Sequence, residues 1–125
     1  MTITDISHSI SEVAGATGVS THTLRYYERE GLMLRPIGRA SSTHRRYTDA
    51  DITWVQFLTK LKRTTMSISE MRQYAEFARR GDETLADRLD LLLKHRAMVV
   101  AQIQEMTKSL AAIDFKIAAY EEKVS

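Results

Sequence analysis

ISEVAGATGVSTHTLRYYEREGLM, residues 10–33, encodes two short helices by their ends. Ser9 with Glu12 makes a capping box, in which a hydroxyl and a carboxylate each satisfy a backbone N–H that the first turn leaves orphaned. Ser20, between Val19 and Leu24, makes a second start with a hydrophobic staple. Gly18 sits in the turn, where a positive φ is cheap for glycine, and Gly31 stands just past the second helix as its stop. Ala14 is small where two helices crossing at a turn must approach closely. Two helices joined by about four residues make a helix-turn-helix.

What the second helix does depends on which of its faces is wet. Leu24 and Tyr27 lie three apart and are expected to cover the first helix through Val13. His22, Arg25, Tyr26 and Arg29 fall at i, i+3, i+4 and i+7 on another face, which is basic and aromatic. An ordinary solvated face has a similar composition, but this one follows a turn that places a helix in a DNA groove. A guanidinium at Arg25 matches the acceptors of guanine. Ser20, Thr21 and Thr23 put hydroxyls for phosphate at the positive end of the helix dipole.

The next stretch is LRPIGRASSTHRRYTD, residues 34–49. Pro36, the chain's only proline, and Gly38 punctuate a loop, and Ser41 to Thr43 make its tip. Arg35, Arg39, Arg45 and Arg46 supply four charges without an acid between them. Alone, this is a solvated basic loop; beside a helix-turn-helix it reads as a small β-hairpin wing that straddles the phosphate backbone.

With 125 residues, 43% of them hydrophobic, the chain holds one small globular unit and at most one extended element. Its net charge is only +2, yet residues 1–80 carry 12 Lys/Arg against 8 Asp/Glu, while residues 81–125 carry 6 against 8. The cationic surplus lies with the groove-reading part, as attraction to phosphate requires. There is no cysteine, hence no disulfide, thiolate nucleophile or thiolate metal site. No apolar run is long enough for a bilayer span or signal peptide, so a cytoplasmic protein with no membrane partner is expected. His8, His22, His44 and His95 are too scattered for a metal site and read as solvated or capping side chains. Paired catalytic carboxylates, a nucleophile with its base and a Gly-rich phosphate loop are all missing, so neither an enzyme nor a cofactor is expected.

The middle of the chain reads as support. Thr48 with Asp51 starts a helix that carries Trp54, Val55, Leu58 and Leu61 as a stripe to about Lys62. Ser67 with Glu70 is another capping box, stapled by Met66 and Met71, and its helix ends before Gly81. Trp54 and the methionines fit core packing better than a ligand pocket. Lys60, Lys62 and Arg63 form a second basic cluster, which reads as a solvated charge run.

From Leu85 the positions Leu89, Leu92, Arg96, Val99, Ile103, Met106, Leu110, Ile113, Ile117 and Tyr120 follow at alternating steps of four and three. This heptad seam with one polar interruption predicts a coiled coil from about Thr84 to Glu121. At 1.5 Å per residue the helix is roughly 55 Å long, too long to bury its stripe on an 80-residue domain. It must pair with another chain, and a homodimer brings two recognition helices to two half-sites of an inverted-repeat operator. The expected architecture is mainly α: a winged helix-turn-helix domain with two support helices over residues 1–80, then a dimerisation helix over residues 81–125. An architectural or excisionase-like winged-helix protein shares the first part. A pure coiled-coil scaffold leaves the Arg/Tyr face without a purpose.

Together TLRYYEREGL and the RRY that follows about a dozen residues later resemble the mercury-resistance regulator (MerR) family of bacterial transcription factors. The resemblance implies an antiparallel dimerisation helix, a sense the heptads alone do not give. It also implies a mechanism in which the dimer bends and untwists a promoter whose spacer is too long, so that RNA polymerase meets both of its recognition elements. Carried over by motif, Arg25 and Tyr26 contact DNA from the recognition helix, and Arg45, Arg46 and Tyr47 from the wing. The cysteines of metal- and electrophile-responsive members are missing here, and drug-binding members carry a further C-terminal domain where this chain has only Lys123 to Ser125 after Glu122. The inducer stays open; the groove near Tyr74, Phe77 and the start of the coiled coil is the remaining place for a small molecule.

Arg96 at a seam position either fixes the register of the dimer at some cost in stability or lays its stem in the seam and sends its charge to water. Arg96→Leu separates the two: a changed register or dimer stability in chemical denaturation supports the first, and a dimer unchanged in both refutes it.

Overall fold

Helix ends set the architecture of the N-terminal two-thirds. In the computed structural model, residues 7–36, 38–39 and 45–125 are described, with backbone only at 38, 39 and 45. The chain runs α1 (Ile10–Thr17), α2 (Thr21–Arg29), β1 (Gly38–Arg39), β2 (Arg45–Arg46), α3 (Asp49–Arg63), α4 (Ile68–Arg79), a 3₁₀ turn (Gly81–Thr84) and α5 (Leu85–Val124). It divides into two compact units, residues 1–88 and 89–125. The expected hairpin tip, Ser41 to Thr43, and His44 lie outside the described residues.

The first unit opens with the predicted capping box. Glu12 N–H donates to Ser9 Oγ at 3.2 Å and Ser9 N–H donates to Glu12 Oε1 at 2.9 Å. That backbone donor is the main reason the Glu12 carboxyl lies below its ordinary range. α1 ends at Gly18, whose φ of +73° turns the chain, and three residues rather than four lead into α2. Val13, Leu24 and Tyr27 are all buried where the two helices meet, as their spacing requires. Burial of such a side chain contributes about 1.5–3 kcal/mol each, enough to fix the crossing of two helices too short to be stable alone.

β1 and β2 pair antiparallel, with Gly38 opposite Arg46 and Arg39 opposite Arg45. Tyr47 extends this pairing on its other side: its N–H donates to the His8 carbonyl at 2.9 Å, and His8 N–H donates to the Tyr47 carbonyl at 2.7 Å. His8 Nε2 lies 2.7 Å from Asp49 Oδ1. His8, expected to be solvated, thus ties the N-terminal segment to the start of α3. His95, given the same expectation, is buried in α5.

α3 starts on a complete capping box of Thr48 and Asp51. It buries Val55, Leu58 and Leu61 against the core that Met66, Met71 and Ala75 complete. The expected box at Ser67 forms only by half: Glu70 N–H donates to Ser67 Oγ at 3.0 Å, but the Glu70 carboxylate takes the serine hydroxyl at 3.1 Å instead of the cap N–H. The 3₁₀ turn is closed by Thr84, whose buried hydroxyl reaches the carbonyls of Phe77 and Gly81. Arg88 donates to the same Gly81 carbonyl at 2.7 Å.

α5 spans 40 residues, about 60 Å at 1.5 Å per residue. It starts one residue after the expected Thr84 and runs three past Glu121. The second unit is this helix from Leu89 onward. Its seam residues Ile103, Met106, Leu110, Ile113, Ile117 and Tyr120 are each 49% to 72% exposed. Val124, four past Tyr120, continues the same spacing by one more step and is also exposed. Asp87 and Asp90 are exposed, as expected of wet helix positions. None of the described helices is long and apolar enough to cross a membrane.

The junction of α3 and α4 carries a backbone cost. Met66 N–H donates to the Leu61 carbonyl at 3.1 Å and Thr65 N–H to the Lys62 carbonyl at 3.0 Å, the two bonds of a Schellman cap. The residue at the left-handed position is Thr65, with φ of +66°, among the described residues the only non-glycine with positive φ. A β-branched residue there costs about 1–2 kcal/mol, while glycine adds about 0.4–1 kcal/mol of unfolded-chain entropy. Thr65→Gly is therefore expected to stabilise the protein by about 0.5–1 kcal/mol in urea unfolding; a loss of stability would show that the Thr65 side chain repays its strain.

Candidate nucleic-acid interface

α2 separates its charges by face. His22, Arg25 and Arg29 are exposed, and Thr21, Thr23 and Tyr26 partly so, while Leu24 and Tyr27 are buried. Ser20, also exposed, caps the helix: its Oγ accepts from Thr23 N–H at 3.1 Å and lies 2.9 Å from Thr23 Oγ1. The acids of this region turn toward the protein. Glu28 accepts a hydrogen bond from the Tyr47 hydroxyl at 2.6 Å, and Glu30 Oε1 pairs with Arg72 Nη2 at 3.1 Å. Glu30 is offset by the Arg72 cation and Glu28 is engaged by the Tyr47 hydroxyl, while the exposed side of α2 carries His22, Arg25 and Arg29.

The wing residues fall into two classes. Arg46 is exposed, and Arg39 and Arg45 occupy opposed positions of the two strands. Tyr47 does not belong with them: its ring is fully buried and its hydroxyl is taken by Glu28, so the expected DNA contact is corrected to a core residue that joins α2 to the hairpin. RRY placed it beside Arg46, which is exposed, but alternation along an extended strand turns it inward. Arg35 is half-exposed, and one of its nitrogens is committed to the buried Asp51 carboxylate at 2.8 Å and to Thr48 Oγ1 at 3.2 Å. Its observed contacts fasten the root of the wing to the first turn of α3.

Two residues that sequence reasoning passed over, Arg72 and Arg79, and one it placed in the core, Trp54, hold the segment after α2. Arg72 Nε donates to the Glu30 carbonyl at 2.9 Å. Arg79 donates to the Met33 carbonyl from Nε at 3.1 Å and from Nη2 at 2.6 Å, and also to the Gly31 carbonyl. Trp54 Nε1 donates to the Leu32 carbonyl at 2.7 Å. Four consecutive carbonyls just past the end of α2, Glu30 to Met33, thus receive donors from α3 and α4, two of the donor side chains being cationic. The only sequence signal was that Arg72 and Arg79 lie seven apart, on one side of a helix. Trp54 was expected in the core; it is instead half-exposed, with its ring stacked on Tyr74 at 5.6 Å and 6° between planes. Lys60, Lys62 and Arg63 are exposed at the C-terminal end of α3.

The chain matches the family model for MerR HTH family regulatory proteins over residues 8–77, and a second model, MerR DNA binding, over residues 52–114. It is 35% identical over 116 residues to an HTH-type transcriptional regulator of Haemophilus influenzae, spanning 93% of this chain and 85% of that protein. A mercuric resistance operon regulatory protein of Pseudomonas fluorescens is 32% identical over 85% of this chain and 69% of its own length. Among solved structures, HiNmlR, a MerR family regulator lacking the sensor domain and bound to promoter DNA, superposes with a TM-score of 0.83 at 35% identity, covering 94% of this chain and 92% of that one. A putative MerR family regulator from Listeria monocytogenes gives a TM-score of 0.85 at 37% identity over 92% and 86% of the two chains. The chain belongs to the MerR family: it is a helix-turn-helix DNA-binding transcriptional regulator, not an enzyme.

Proposed function

We propose that two copies of this chain bind an inverted-repeat promoter operator and regulate transcription by distorting the spacer DNA between the elements that RNA polymerase reads. The observation that carries this reading is the outward basic side of α2, from which both neighbouring acids are withdrawn by Tyr47 and Arg72. The likeness to HiNmlR, crystallised on promoter DNA, supports it.

In this reading α2 enters the major groove. Arg25 reads a base edge, and Tyr26, His22 and Arg29 flank it. Ser20, Thr21 and Thr23 meet phosphate at the helix N-terminus, and Arg39, Arg45 and Arg46 hold the backbone beside the groove. Arg35 acts through the wing root. The seam of α5 from Leu85, Leu89, Leu92 and Val99 through Ile103, Met106, Leu110, Ile113, Ile117 and Tyr120 pairs two copies, which sets the two recognition helices on successive turns of one duplex. A dimer whose readers are held at a fixed spacing does work on DNA of the wrong spacing, and that deformation is the switch. Such a protein acts in the cytoplasm.

Arg25→Ala is expected to cost about 1–3 kcal/mol on operator DNA and to relax sequence preference, whereas Arg46→Ala weakens all duplexes alike. Fluorescence anisotropy on specific and random duplexes checks this, and equal losses on both for Arg25→Ala contradict base reading. The double variant Ile103→Glu with Leu110→Glu is expected to sediment as a monomer and to lose the advantage of two half-sites over one; retention of both rules out the seam as the dimer contact. Run-off transcription from a long-spacer promoter should rise on addition of the protein, and a flat response favours a purely architectural role.

A further inference from the structure

The first unit contains a cleft of about 570 Å³ lined by none of the residues assigned above to DNA contact or to the α5 seam. Ala50, Thr53, Trp54 and Phe57 of α3, Tyr74 of α4 and Leu34 of the wing root line it. Its volume lies in the range of small-molecule sites, and its lining is aromatic and apolar with only hydroxyl and indole polar groups. Trp54 and Tyr74 stack nearly parallel, and Phe57 tilts against Tyr74 at 5.7 Å. Among the described residues no carboxylate or cation lines it, so a charged ligand would lose hydration without a counter-charge. Burial pushes the Tyr74 phenol above its ordinary range, which keeps it a neutral donor.

We propose that this α3–α4 cleft is an effector site for a neutral, planar aromatic molecule, built into the DNA-binding unit itself. The ligand inserts against the Trp54 and Phe57 rings. What makes occupancy felt at the DNA is the wall: Trp54 donates to the Leu32 carbonyl, and Leu34, two residues on, is part of the lining. A molecule that shifts the indole or displaces Leu34 moves the segment joining α2 to the wing. This regulatory consequence rests on the DNA-binding reading above; occupancy of the cleft does not.

N-phenyl-1-naphthylamine, neutral and fluorescent, is the probe, and Trp54, the chain's only tryptophan, is the reporter. On the full-length protein the probe should quench Trp54 saturably with one site per chain, and it should change operator affinity at least fivefold. Ala50→Leu, which fills the cleft from an exposed helix position, should weaken probe binding at least tenfold and leave operator binding without probe unchanged. Probe binding insensitive to Ala50→Leu places the ligand elsewhere and overturns the proposal. So does a Trp54 sheltered from acrylamide with no probe bound, the result expected if a second copy covers the cleft. Saturable binding with unaltered operator affinity overturns the effector role. Should the untreated protein ignore operator DNA while the probe still binds at the cleft, the DNA-binding reading fails instead.

Discussion

The constraint on which the rest depends is the apolar edge of α5. A helix of 40 residues whose seam side chains from Ile103 to Tyr120 are each 49% to 72% exposed leaves a hydrophobic line in water. At about 25 cal/mol per Å² of apolar surface, covering that line outweighs any surface ion pair on the same helix. Lys94–Asp90 and Lys108–Glu105 are exposed pairs of this weak kind. In the proposed dimer a second copy, self-complementary along the heptad seam, covers that line. In that case stability and DNA recognition are both tied to protomer concentration, because two readers exist at one spacing only while the seam is covered.

The same economy of charge governs the reader. α2 is nine residues long and would not persist alone. Its N-terminus is capped by Ser20, and the segment just after its last turn is held through its carbonyls by Arg72, Arg79 and Trp54. These donors hold the helix on α3 and α4, and the Glu30–Arg72 and Glu28–Tyr47 contacts take up its acids. What faces outward is then cationic although the whole chain carries only +2. Support helices thus shape the field of the reader as well as its position, and a perturbation at Trp54 or Arg79 has a short route to the DNA-facing side.

Patterns local in the chain were legible from the sequence. The capping boxes at Ser9 and Thr48, the turn at Gly18 and the long α5 helix each depend on residues within a few positions, and each forms. Contacts across long separations were not. Tyr47 was assigned to DNA by the RRY motif of the family it resembles; its hydroxyl is instead taken by Glu28, nineteen positions away. Arg79 reaches carbonyls of Gly31 and Met33 that no periodicity announces. Trp54 sits on the correct helix but at the edge of its buried stripe, where a cleft and a hydrogen bond to Leu32 take it out of the core. His8 carried no signal at all, since its partner Asp49 lies beyond the wing.

Sedimentation equilibrium of the intact chain, over a dilution series through the micromolar range and in the presence of a palindromic duplex, is the most direct test of this account. A species of twice the chain mass, which binds the duplex as a unit, is the expected result. A monomer at micromolar concentration that binds one half-site as tightly as two would contradict it.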